Sequence, residues 1–287
     1  MKCSLFKTIE KRKRTMMTPR VAAIHDMSGF GRCSLTVAIP ILSAMGVQCC
    51  PLPTAFLSTH TGGFEGFTFL DMTDEMSKVA DHWASLGLTF QAVYSGFLGS
   101  ERQIGVVENF ICRFRGPDTV VVVDPVMVAT SGDRLITEDA VSALKELLLP
   151  LATVLTPNIP EAEILSGMTI RSAADMEAAA RAISEQYGCA VLCKGGHQIN
   201  DADDLLWRSG TGKWFHGKRI ANPNTHGTGC TLSSAIASNL AKGFDLDTSV
   251  ERAKAYISGC LSAMLDLGHG SGPMDHMFAL KGEFVDG

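Results

Sequence analysis

The sequence predicts an α/β domain in which a mainly parallel sheet is covered by helices on both faces. Three observations lead there. Strand-like and helix-like stretches alternate along nearly the whole chain, the pattern of repeated strand–helix–strand units. The strand-like runs are short and apolar without alternation, as strands buried on both faces are; residues 119–123, one threonine and four valines, are the clearest. Most of these runs end in a cluster of polar and glycine residues, where open α/β sheets hold ligands.

Composition agrees. The 287 residues suit one large α/β domain, and 46% hydrophobic with 19% charged residues is ordinary for a globular chain with an ample core. A net charge of −5, with no basic face beyond the N-terminus, argues against a nucleic-acid partner. The nine cysteines are scattered, Cys49 and Cys50 are adjacent, and no Cys-x-x-Cys pair occurs. That pattern suits neither a disulfide framework nor a zinc site, and it points to the reducing cytoplasm. Lys2, Lys7, Lys11, Arg12, Lys13 and Arg14 make the start basic, but no long apolar core follows. Residues 1–17 therefore read as a disordered basic extension rather than a signal or membrane anchor, and residues 18–287 as a single domain.

The elements follow in order. Residues 21–24 are an apolar run that opens into His25-Asp26-Met27-Ser28-Gly29-Phe30-Gly31, a strand and a glycine-bearing loop. Residues 35–45 are helical and Gly46 ends them; residues 47–52 form the next strand. That strand leads to Thr54 and the cluster Ser58-Thr59-His60-Thr61-Gly62-Gly63, either a ligand-facing strand end or a surface turn. A helix over 72–86 precedes a strand over 92–94, which opens into Ser95-Gly96-Phe97-Leu98-Gly99-Ser100. A helix over 104–114 leads to the strand at 119–123, tipped by Asp124. A carboxylate there either caps the next turn or serves a metal and phosphates.

Residues 138–148 read as a helix and 154–155 as a strand ending in Thr156-Pro157-Asn158-Ile159-Pro160-Glu161. Asn158 and Glu161, three apart at a helix start, are a cap with its reciprocal partner, or they hold a water-bound Mg²⁺ over phosphates. A helix over 173–186 and a strand over 190–193 lead to Lys194-Gly195-Gly196-His197. Lys194 is either a solvated charge or a point charge for a phosphate. The turn-rich stretch 200–217, with Trp207 and Trp214, reads as a hairpin added to the sheet. A helix over 248–265 and a glycine-rich loop over 268–273, of a kind that could edge a nucleotide pocket, complete the chain.

One stretch carries chemistry: Asn224-Thr225-His226-Gly227-Thr228-Gly229-Cys230-Thr231, followed by Leu232, Ala235, Ile236 and Leu240 at helical spacing. Glycine allows the positive φ and close backbone approach that aim successive N–H groups at one point. The helix behind adds its unpaired N–H groups and the positive end of its dipole, making an anion site. Cys230 falls on the first turn, where a thiolate is stabilised. The spacing is neither the dinucleotide fingerprint nor the Walker loop. The plain alternative is a tight turn into a helix, with Cys230 as a small packed residue.

Together these residues resemble the ribokinase-like superfamily in its vitamin-kinase branch, over residues 19–276. The resemblance splits. From Met127 onward the chain is similar to hydroxymethylpyrimidine and phosphomethylpyrimidine kinases, in Val128-Ala129-Thr130-Ser131-Gly132-Asp133, Thr156-Pro157-Asn158, Lys194 to His197 and Asn224 to Cys230. Before it, His25 to Gly31, Phe56-Leu57-Ser58-Thr59-His60-Thr61 and Ser95 to Ser100 look like pyridoxal and pyridoxamine kinases. The pyrimidine kinases usually open with Gly-Thr-Asp-x-Ser-Gly-Gly and carry Gln where Thr59 lies. Pyridoxal kinases commonly end the anion loop in Asp, where this chain has Cys230.

The resemblance implies a three-layer sandwich and an ATP-dependent, Mg²⁺-requiring kinase acting on the hydroxymethyl group of a pyridoxal-class vitamer. A hydroxymethylpyrimidine or phosphomethylpyrimidine substrate is the alternative. It implies a ring site from Asp26, Thr54, Ser58, Thr59, His60 and Phe97, and nucleotide contacts from Lys194, Asn158, Thr225 and Thr228. It further implies a metal organised by Asp124 and Glu161, and a reacting centre of Cys230 with Gly227, Thr228 and Gly229. A homodimer is implied, with no membrane partner. A sugar kinase is disfavoured because the Gly-Ala-Gly-Asp ending is absent. A non-catalytic vitamin-binding regulator is disfavoured because the anion cradle looks intact.

Overall fold

The structure, a computed structural model, describes residues 18–61, 64–128, 134–195, 202–217, 220, 222, 227–263 and 274–279. Strands β1 Arg20–Phe30, β2 Gln48–Thr59, β3 Phe69–Asp71, β4 Ala92–Ser95, β5 Val120–Val123, β6 Val154–Leu155, β7 Ala190–Cys193, β8 Asp204–Arg208 and β9 Thr211–Phe215 form one sheet. Their order is β3-β2-β1-β4-β5-β6-β7-β8-β9. The six from β2 to β7 are parallel, with β3 antiparallel at one edge and the β8–β9 hairpin antiparallel at the other. The helices are α1 Ser34–Ala44, α2 Thr73–Ser85, α3 Glu101–Phe114, α4 Glu138–Ala143, α5 Ile159–Ser166, α6 Ala173–Tyr187, α7 Thr228–Ala241 and α8 Leu246–Ser262.

The strands read as unbroken apolar runs because both faces are covered. Ala22, Ile24, Val93, Val121 and Val123 pack with Ile104, Phe110 and Ile111 of α3 and Ile183 of α6. The residues between them, Val21, Ala23, Ala92, Tyr94 and Val122, pack on the other face with Leu35 and Leu42 of α1 and Ala237 of α7. Val37, Ile236 and Val250 then join α1, α7 and α8 to each other. The result is the expected helix–sheet–helix sandwich. Strand order reverses between β1 and β4, so a crevice opens beyond their carboxyl ends, where such sheets bind ligands.

The structure departs from the sequence reading in places that have physical causes. β1 and β2 run beyond the expected 21–24 and 47–52. Past the sheet they keep pairing with each other (Met27 with Phe56, Ser28 with Leu57, Phe30 with Thr59), and β3 closes this arm. Its glycines and polar residues resemble a loop, and Phe30, Phe56, Phe69 and Leu70 stay exposed there. The expected helix over 138–148 is α-helical only to Ala143 and widens into a π turn at Leu144–Leu148. Helix α5 spans eight residues, too short for a period to show, although its start signal was legible. The basic extension and the loop over 268–273 lie outside the described residues.

Candidate active site

The anion loop ends where α7 begins. Gly227 has φ +82°, and a Cβ there would stand 2.8 Å from the Arg32 carbonyl oxygen, so conformation and space both require glycine. The first intrahelical bond runs from the Thr231 N–H to the Gly227 carbonyl at 2.9 Å. The amides of Thr228, Gly229 and Cys230 are therefore left at the helix start for an outside acceptor. Thr225 lies outside the described residues.

Two strand tips bring charge to this point. Lys194, after β7, donates to Asp124, after β5, at 2.9 Å, and both side chains are largely buried. A Cβ on Gly229 would lie 3.4 Å from Lys194 Nζ and 3.6 Å from Asp124 Oδ2, so the pair sits directly beneath the loop. Ser233 of α7 fixes that registry, since its hydroxyl donates to Asp124 Oδ2 at 3.1 Å and meets the Thr156 hydroxyl at 3.0 Å. Burial opposes the Lys194 charge, but Asp124 and Glu161 overcome it and hold its pKa above the ordinary value.

Asn158 and Glu161 form the capping box of α5. The Asn158 side chain accepts from the Glu161 N–H at 2.8 Å, and Glu161 Oε2 accepts from the Asn158 N–H at 2.8 Å. Glu161 Oε1 also accepts from the Met127 N–H at 3.2 Å. Burial first, then the Asp124 charge, pushes the Glu161 pKa up to about 7 against the pull of Lys194. Among the described residues, no group of three His, Cys, Asp or Glu side chains is spaced to hold a metal directly.

On the other side of α7, Cys230 meets the switch-point crevice. Its Sγ lies 3.6 Å from His25 Nε2, and His25 Nδ1 lies 2.6 Å from Asp26 Oδ1. Register shifts between His25 and Met27 in the pairing of β1 with β2, a bulge that brings two consecutive side chains together. The Phe97 N–H reaches His25 Nε2 at 3.3 Å, and a Cβ on Gly96 would overlap the His25 ring, so glycine is required. Burial opposes charge on this ring, but the Asp26 carboxylate and the Cys230 sulfur outweigh it and raise its pKa to about 10.

Of the ring residues expected from the sequence, Asp26, Thr54 and Phe97 meet in this crevice. The Thr54 hydroxyl donates to the Phe97 carbonyl at 3.4 Å, and Gln103 donates to the Thr54 carbonyl at 3.0 Å. Ser58, Thr59 and His60 lie further along, on the β1–β2 arm. Ser58 Oγ accepts from the Thr68 N–H, and the His60 ring packs edge-on against Phe64. Sequence reasoning missed His25 as a site residue. Its signal was a polar residue at the end of an apolar strand, next to a carboxylate. A further cavity of about 660 Å³ lies between β9 and α8, lined by Lys213, Trp214, Phe215, His216, Glu251 and Lys254 among others. No helix among the described residues is long and apolar enough to cross a membrane.

With this geometry in place, comparisons with known proteins become informative. A family model described as phosphomethylpyrimidine kinase matches residues 39–275. The hydroxymethylpyrimidine/phosphomethylpyrimidine kinase of Streptomyces coelicolor is 34% identical over 262 residues, covering 91% of this chain and 96% of its own. A putative phosphomethylpyrimidine kinase from Bacteroides thetaiotaomicron, crystallised with pyridoxal, superposes with TM-score 0.77 at 33% identity, covering 91% of this chain and 93% of its own. The ADP complex of Bacillus subtilis pyridoxal kinase gives TM-score 0.82 at 26% identity, covering 91% and 98%. Both halves of the resemblance are thus supported, and a kinase acting on an alcohol group is the shared activity.

Proposed function

The chain belongs to the phosphomethylpyrimidine kinase family, and from that premise we propose that it transfers the γ-phosphoryl group of ATP to the hydroxymethyl group of hydroxymethylpyrimidine or its phosphate. The observation that carries this reading is Cys230 at the start of α7. There a substrate hydroxyl against the sulfur would also face the amides of Thr228, Gly229 and Cys230 and the Lys194 ammonium. Phosphoryl transfer needs mainly alignment and neutralisation of charge on the transferring group, and these donors supply both.

ATP is supported by the nucleotide complex of the Bacillus relative, and the cavity between β9 and α8 is our candidate for its nucleoside end. Mg²⁺ would neutralise charge on the phosphates. Asp124 and Glu161 fit that ion through water, since their oxygens already accept from Lys194, Ser233 and backbone amides. The proposal extends to a homodimer in the cytoplasm. The eight cysteines among the described residues are all free, which suits a reducing compartment.

The sequence reading placed a pyridoxal-class vitamer first. We put the pyrimidine first because two relatives that match nine-tenths of the chain are named for it. Pyridoxal stays as a second reading because the Bacteroides relative was crystallised with it. The family match also begins at residue 39, after the His25–Asp26 crevice. The test is ATP-dependent phosphorylation of hydroxymethylpyrimidine and pyridoxal side by side. We expect kcat/KM to favour the pyrimidine by about tenfold or more, roughly 1.4 kcal/mol. A preference for pyridoxal of that size overturns the first reading in favour of the second.

A further inference from the structure

Cys230 comes from α7, and the two groups behind it come from β1, some two hundred residues earlier in the chain. The three groups form a chain of contacts through the two ring nitrogens. Cys230 Sγ stands 3.6 Å from His25 Nε2, and the opposite ring nitrogen stands 2.6 Å from Asp26 Oδ1. The side chain of His25 is almost fully buried and that of Asp26 nearly so, while Cys230 is partly open. Glycine at position 96 clears the space for the ring. A packing histidine needs neither an adjacent buried carboxylate on one nitrogen nor a sulfur on the other.

We infer that Cys230, His25 and Asp26 form a proton relay in which His25 takes the thiol proton and Asp26 holds the ring for that exchange. The inference deepens the kinase reading and rests on it for the second of its two steps. In the first, the Sγ–H bond breaks and an Nε2–H bond forms, giving a thiolate beside an imidazolium whose Nδ1–H donates to Asp26. In the second, the substrate hydroxyl gives its proton to the sulfur as its oxygen bonds the γ-phosphorus of ATP. The bond to the β-phosphate oxygen breaks, and its electron pair leaves with ADP. The extra proton passes to solvent and the cycle closes. His25 is thus a positioning residue that acts through Cys230.

Among the described residues, the charged and titratable groups around this relay are few. Tyr94 of β4 faces the His25 ring edge-on with centroids 6.3 Å apart, and burial keeps its hydroxyl neutral. Cys33, before α1, has its thiol pushed up to about 11 by burial. Lys194 is close enough to feel the Cys230 charge, and it is tied to Asp124. Asp26 is the carboxylate in contact with the ring. Burial alone would raise its pKa, but His25 holds it below the ordinary carboxylate value. That supports a cationic ring against a reactive sulfur. In the other proton state the Phe97 N–H can donate to Nε2, so both states of the ring have a partner.

The experiment follows the sulfur directly. The full-length protein and His25→Gln are alkylated with iodoacetamide between pH 6 and 9, and modification of Cys230 is read by peptide mapping. We expect Cys230 to react about tenfold more slowly in H25Q near pH 7, with the difference closing at high pH, because only the thiolate reacts. Asp26→Asn should fall between the two. An unchanged pH profile in H25Q, with Cys230 still reactive, overturns the relay. Circular dichroism checks that H25Q is folded, and should it unfold, D26N carries the same test with the same two outcomes. Kinase assays run alongside separate the readings. A shifted alkylation profile with no turnover of either heterocycle would leave the relay standing and defeat the proposed substrates instead.

Discussion

The two sides of α7 were built in different ways. Toward β5 and β7 lies what we propose as the phosphate side: the amides of the α7 start and the Lys194–Asp124 pair, tied together by Ser233. Toward β1 and β4 lies what we propose as the hydroxyl side: His25 and Asp26 against Cys230, with Gly96 and Phe97 closing around the ring. The phosphate side depends on backbone and on residues at strand tips that follow short motifs. The hydroxyl side depends on a bulge in one strand, a missing side chain in another and the pitch of a distant helix. A motif can announce the first, whereas only the assembled fold can announce the second. On the proposed reading the first side would set the reaction class and the second would be where substrate choice is made.

Breaking the phosphate side should have the largest effect. Lys194→Met leaves Asp124 buried with no cation beside it and Glu161 close by, and removing one partner of a buried pair costs about 3–5 kcal/mol. We expect that loss in urea unfolding and a fall of about 10²–10³ in kcat, the scale of a lost donor to the transferring charge. In the double variant Lys194→Met/Asp124→Leu the apolar pair should recover much of the stability and none of the rate. Recovery of both would mean that the pair is only a core element.

The hydroxyl side has a subtler signature, in pH. The His25 pKa is raised from 6.5 to about 10 in the folded protein. A group raised on folding stabilises fully below its unfolded value and loses that contribution as pH climbs through the folded one. The thermal midpoint of the wild type should therefore decline by several degrees between pH 6.5 and 10. His25→Gln should start lower and stay flatter over the same window, as followed by differential scanning calorimetry. Parallel curves for the two proteins would show that His25 carries no such charge.

Much of the fold was legible because the physics that sets it is local. Residues 119–123 read as a buried strand and Gly46 as a helix end, and both stand, the glycine with positive φ. The phosphate side was legible for the same reason: Gly227, Gly229 and Lys194 sit in short recognisable strings. The β1–β2 arm was not, because its pairing continues through glycine and polar residues that read as loop. Ser58, Thr59 and His60, expected near the ring, lie on that arm, a placement that no local pattern announced. His25 went unseen because its partner lies 205 positions away, and no spacing rule spans that distance.

The smallest effect settles an ambiguity that the sequence posed. Asn158 and Glu161 could serve as a helix cap, as nucleotide and metal residues, or as both, and the geometry displays the cap in full. Asn158→Ser keeps an N-cap oxygen, so stability should change by no more than about 0.5 kcal/mol. It removes the side-chain amide, which leans toward the Val128 carbonyl at 3.5 Å beside the phosphate side. If the amide only braces that turn, KM for ATP and the Mg²⁺ dependence of the rate should match the wild type. If it reaches the nucleotide or the water around Mg²⁺, KM for ATP should rise several-fold while the unfolding midpoint stays in place. We expect the second result, because the Asn158–Lys194 bridge ties this backbone to the cation beneath the anion loop. A cap alone would need no such link to β7. The opposite outcome would leave the proposed phosphate contacts to the amides of α7 and to Lys194, with Asn158 serving as a cap alone.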